Sequence, residues 1–137
     1  MGGPIDVLVN STSAAKKTSV ADLKPQDWQN AMDSKFFSYI NMVDLIIKKM
    51  VARGQGAIVN VVGHGGKVAS PLHLPGGGAN AALMLATAGL ANAYAGQGVW
   101  VDAVNPGSTL TQWLETAISA DAKSRLISPE TALSQFT

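Results

Sequence analysis

The chain contains no cysteine, which excludes disulfide scaffolds, thiolate metal sites and cysteine nucleophiles. Histidine is almost as scarce. His64 and His73 lack the i, i+4 helical spacing of a zinc pair, so no metal site is expected. Charge is sparse too: ten Lys and Arg against nine Asp and Glu give a net +1, and no basic block is longer than Lys16-Lys17 or Lys48-Lys49. That balance speaks against a nucleic-acid surface. No apolar run approaches the roughly 18 residues of a membrane span. No basic-then-apolar leader precedes "IDVLVN", so a soluble cytoplasmic protein away from membranes is the expectation.

What the chain does contain is apolar material in short, punctuated runs. Hydrophobic residues make up 47% of 137 residues, the length of one domain with a real core. "IDVLVN" over 5–10, "AIVNVV" over 57–62 and "VWVDAV" over 99–104 are nearly continuous in Val and Ile. Such runs suit parallel strands covered on both faces. Between the first two, Met32, Phe36, Val43, Ile46 and Met50 recur at helical spacing, Pro25 fits a first helical position, and Gly54 with Gly56 closes the run. A second helix is predicted over 79–95, closed by "GQG". Strand, helix, strand, helix, strand makes βαβ units and a parallel sheet.

The second helix has Ala, Gly, Leu and Met at nearly every position, interrupted by Asn80, Thr87 and Asn92. A helix apolar all round is normally buried on two sides, one on its own sheet and the other on a second helix. A homo-oligomer through helices 26–53 and 79–95 follows as an expectation. The strand at 5–10 is too apolar for a safe sheet edge, and "SPETALSQFT" opens a helix with Ser128 as N-cap and Pro129 behind it. Both features lead us to expect residues drawn from a longer α/β protein.

Five segments in order resemble the short-chain dehydrogenase/reductase family. "GPIDVLVNSTSA" is similar to the family's "DVLVNNAG" strand, with Asn10 at its first Asn and residues 11–13 departing from it. "DWQNAMDSKFFSYINMVDLIIKKM" matches the long central helix in length and period. "GQGAIVNVVG" resembles the fifth strand, "GQGVWVDAVNPGSTLT" the sixth strand with its "PG-x-x-x-T" turn, and "RLISPETA" the segment after it. The resemblance implies a Rossmann-like doubly wound parallel sheet, with 1–137 running from the fourth strand to the helix after the sixth. It implies NAD or NADP as cofactor and a small carbonyl or alcohol as substrate. The first strands, the phosphate-binding loop and the segment that selects NAD or NADP have no counterpart in this chain.

The family's chemistry needs a phenol to pass a proton, an ammonium to lower that phenol's pKa and a hydroxyl to hold the substrate oxygen. Counting back from Gly98, the family's Tyr position falls at Gly76 and its Lys position at Asn80; its Ser position falls at Gly63 and its Asn position at Lys35. All four differ from the family. His73, three residues before the Tyr position, is a candidate proton donor, and Lys35 a candidate for the missing ammonium; against these stand a solvated loop histidine and a surface lysine. Residues implied to face the cofactor are Asn10, Gly63, Gly76 and Asn80, together with Pro106, Gly107 and Thr111, the last at the family's carboxamide-holding Thr.

Gly76, Gly78 and Ala81 also spell G-x-G-x-x-A, with Asp102 as a conceivable ribose acid. That fingerprint needs a strand running directly into its first glycine, whereas here a loop carrying Pro71 and Pro75 intervenes. "GHGGKVAS" fails as a phosphate loop because Val68 follows Lys67 where Ser or Thr is required. The expected function is thus an oxidoreductase with a divergent site. The alternative is a non-catalytic relative that binds a nucleotide or assembles subunits.

Overall fold

The computed structural model describes residues 3–12, 18–107 and 112–134. The chain forms two compact units, Met1–Asn105 and Pro106–Thr137. In the first, β1 (Val7–Asn10), β2 (Gly56–Val61) and β3 (Val99–Val104) make one parallel sheet in the order β1-β2-β3. Its register sets Leu8 beside Ile58 and Ile58 beside Val101, with Asn10 beside Asn60 and Asn60 beside Ala103.

The β1–β2 crossover is helical in three pieces: α1 (Pro25–Ala31), a π-helical turn (Met32–Phe37) and α2 (Ser38–Arg53). The sequence periodicity predicted one continuous helix. The π turn inserts an extra residue into the hydrogen-bond ladder, and such turns recur at functional sites. Pro25 sits in the first turn of α1, where its missing N–H costs nothing, and Asp27 accepts the Lys24 backbone N–H at 2.8 Å. Gly54 ends α2 at φ +71°, a left-handed conformation that glycine adopts without strain.

The second crossover is α3 (Leu74–Tyr94), which starts five residues before the predicted 79–95. Glycine's low helix propensity argued against 76–78 being helical, but Pro75 suits a first turn and the loop before it packs closely on that turn. Tertiary contact overrides propensity here. Buried positions on α3 are Pro75, Gly76, Ala79, Asn80, Leu83 and Thr87, the three-four spacing of one face. Ala81, Leu85, Ala88 and Asn92 point outward, with Leu85 77% exposed, so the helix does have an open side within this chain.

Val43, Ile46, Ile47 and Met50 of α2 pack with Ile58, Val99 and Val101, and Leu90, Ala91 and Tyr94 of α3 join them. A second cluster, Tyr39, Val62 and Leu83, lies toward the C-terminal ends of the strands. Both helices thus cover the same sheet face. On the opposite face Val7, Val9, Trp100 and Val104 are exposed, Trp100 by 71%. The expectation of cover on both faces therefore fails for the described residues: the strands have the composition of a two-sided sheet, and the helices packed on them supply one side.

In the second unit, α4 (Gln112–Arg125) sets Leu114, Ile118 and Ala122 against Ala132 of α5 (Pro129–Leu133). Ser128 caps α5 as predicted, its Oγ accepting the Thr131 N–H at 3.1 Å. No helix among the described residues is long and apolar enough to cross a membrane.

Candidate active site

A chain of buried amides joins β1, β2 and α3. Asn10 Nδ2 donates to Asn60 Oδ1 at 2.9 Å, and Asn60 Nδ2 donates to Thr87 Oγ1 at 3.0 Å. Thr87 in turn donates to the Leu83 carbonyl at 2.7 Å, the back-bond of a helical threonine. Asn60 is wholly buried, so each of these groups would lose its water without these partners. Sequence reasoning singled out Asn10 and missed Asn60. The signal was an amide inside the otherwise apolar run "AIVNVV".

Lys35 lies in the π turn, and its side chain turns inward. It is 5% exposed, a correction to its reading as a surface lysine. Its Nζ donates to the Val61 carbonyl at 2.9 Å and to Tyr39 Oη at 3.0 Å, with the Thr12 carbonyl at 3.4 Å. Tyr39 donates to the Val61 carbonyl at 2.7 Å and accepts the Thr12 N–H at 3.0 Å. A buried ammonium is tolerated only when its donors are satisfied, and these oxygens do that. The result is a fixed positive charge at the C-terminal ends of β1 and β2, where open α/β sheets bind ligands.

Beside it, the loop after β2 closes onto the start of α3. Gly63 stands at φ +139°, a backbone angle that side chains rarely adopt, and a Cβ there would lie 3.2 Å from Asn80 Nδ2. A Cβ on Gly66 would come within 2.8 Å of the Ala81 backbone nitrogen, and one on Gly77 within 2.9 Å of the Gly65 carbonyl oxygen. Glycine is required at both because backbone meets backbone. Gly78 meets only the Trp28 ring, at 3.5 Å, and tolerates a methyl. The Gly77 N–H already donates to the His73 carbonyl at 2.8 Å as the first helical bond, so the glycine run is no phosphate cradle.

The imidazole of His73 fills the place beside Gly76. A Cβ built on Gly76 would overlap the ring, with Nε2 at 2.5 Å and Cε1 nearer still. The ring also approaches Gly65, whose own Cβ would lie 3.1 Å from His73 Cδ2 and 3.7 Å from Asn80 Nδ2. His73, Gly63, Gly76 and Asn80 are therefore gathered in one place by loop-on-helix packing. His64, in the short turn His64–Gly66, is exposed. Pro106 and Gly107 open the second unit and are exposed, while Thr111 lies outside the described residues. Away from the site, Asp44 raises the Lys48 ammonium above its usual range by a hydrogen bond and its charge at 2.6 Å.

A parallel sheet with helical crossovers and a polar cluster at its strand ends defines a Rossmann-like α/β domain. The family profile for short chain dehydrogenases matches residues 1–122, and the chain belongs to that family. It is 26% identical over 125 residues to the 3-oxoacyl-(acyl-carrier-protein) reductase of Staphylococcus epidermidis, across 91% of this chain and 51% of that protein. It is 30% identical to the D-threitol dehydrogenase of Mycolicibacterium smegmatis over 110 residues, 80% of this chain and 42% of that one. Among solved structures, a gluconate 5-dehydrogenase from Burkholderia cenocepacia in complex with NADP and tartrate superposes with a TM-score of 0.78 at 27% identity, covering 88% of this chain and 47% of that one. The chain thus spans about half the length of the relatives it matches.

Proposed function

We propose that this chain carries the substrate-facing part of an NAD(P)-dependent oxidoreductase of carbonyls or alcohols, with His73 as proton donor in place of the family's tyrosine. The observation that supports it is the position of the imidazole, seated where a side chain at Gly76 would begin and next to Asn80. Imidazole is the side chain whose ordinary titration lies nearest neutrality, which suits it to gain and lose a proton during turnover.

The donor set fits the nicotinamide-ribose end of the cofactor. Asn80 places an amide, able to donate to and accept from ribose hydroxyls, where the family has lysine. Gly63 lies against the Asn80 amide and Asn10 is held in place by Asn60; by the family resemblance alone, Gly76 falls at the cofactor-facing tyrosine position, and Pro106, Gly107 and Thr111 correspond to the residues that receive the carboxamide. When bound, a reduced nicotinamide supplies the hydride. His73 gives its proton to the carbonyl oxygen as the alcohol forms, and regains one from solvent. Lys35, fixed by Val61, Tyr39 and Thr12, contributes a positive field that favours negative charge developing on that oxygen.

A cytoplasmic homo-oligomer, joined through α2 and α3, accompanies this reading, supported by Leu45 and Leu85 standing 62% and 77% exposed on those helices. The same exposure favours, as a second reading, a non-catalytic relative devoted to assembly. One assay separates the two. The protein, offered a panel of carbonyls and alcohols with NAD(H) and NADP(H), should turn one over, and His73→Ala should lower kcat by about a hundredfold or more. Turnover unchanged in His73→Ala removes His73 from the mechanism. Nucleotide binding without turnover on any substrate leaves the assembly reading.

A further inference from the structure

Beside the proposed proton donor is a cavity that the hydride step does not itself require. The loop over 65–70 and the first turns of α3 line an open pocket of about 250 Å3. Gly66 and Gly77 form walls with no side chain, Leu74 is apolar, and the polar side chains lining it are Lys67, Ser70 and His73. Among the described residues no carboxylate lines it. No Asp or Glu occurs anywhere between Asp44 and Asp102, a stretch that holds Lys48, Lys49, Arg53, Lys67 and both histidines. Among the described residues Lys67 makes no ion pair.

We propose that this cavity recognises a compact carbonyl substrate bearing a carboxylate, with Lys67 holding the anionic group and His73 the carbonyl end. The proposal rests on the oxidoreductase reading given above and names its substrate class. The pocket is small, about 250 Å3, and seats a compact ligand group rather than a drug-sized one. Charge selects it. An exposed lysine lining a site with no acid among the described residues attracts anions, its ammonium is a flexible point charge suited to a carboxylate, and the Ser70 hydroxyl can donate to the same group. The positive end of α3, a helix of 21 residues, adds to the field on the same side.

The test is a binding titration of the full chain with 2-oxobutyrate and with its methyl ester, followed by NMR, in the wild type, Lys67→Glu and Lys67→Arg. The acid should bind roughly tenfold or more tightly than the ester, the worth of one charge-assisted contact. Lys67→Glu should abolish that preference, and Lys67→Arg should keep it. Equal binding of acid and ester, or acid binding untouched by Lys67→Glu, overturns the proposal. The readout needs no turnover: acid preference in a protein that reduces nothing keeps the anion site and defeats the oxidoreductase reading. Turnover of neutral carbonyls without acid preference does the reverse.

Discussion

The two faces of one three-stranded sheet differ in almost everything except composition. On the covered face Ile58 and Val101 are buried under α2 and α3, and Asn60 finds partners on both sides. On the other face Val7, Val9 and Trp100, paired in the same ladders one residue along, remain exposed. Apolarity alone therefore does not say which face is core. What decides is the partner, and here the partners are helices whose own buried stripes point to one side.

Substitutions sharpen this contrast. Ile58→Ala, on the covered face, should cost about 2–5 kcal/mol, read as a lowered urea midpoint at unchanged slope. Asn60→Ala should cost about 1–3 kcal/mol in the same experiment, because Asn10 Nδ2 and Thr87 Oγ1 lose their buried partner together. Val9→Thr, at a position 60% exposed, should stay within about 0.5 kcal/mol. A Val9→Thr loss as large as that of Ile58→Ala would break the contrast and mean that the open face is covered in solution.

Much of the fold was legible. The three strands lie within a residue or two of "IDVLVN", "AIVNVV" and "VWVDAV", because continuous Val and Ile runs bounded by turn residues have few other uses. The start of α3 was not legible, because local propensity argues against three glycines in a helix, and only the packing of Gly76 on the His73 ring and of Gly77 on the Gly65 carbonyl shows why two of them are there. The inward turn of Lys35 was equally hidden. A lysine in a gap of the apolar pattern looks solvated until the π turn rotates it toward Val61 and Tyr39. Asn10, Gly63, Gly76, Asn80 and His73 were singled out through the family resemblance, but that His73 and Gly76 share one volume is a fact of geometry.

That shared volume has a consequence for substitution. With the imidazole in its present place no Cβ fits at position 76, so the glycine and the histidine form a coupled pair: a side chain at 76 requires the ring to swing away. A side chain introduced at position 76 therefore acts first on the imidazole, so the effect of a change at 76 depends on what stands at 73.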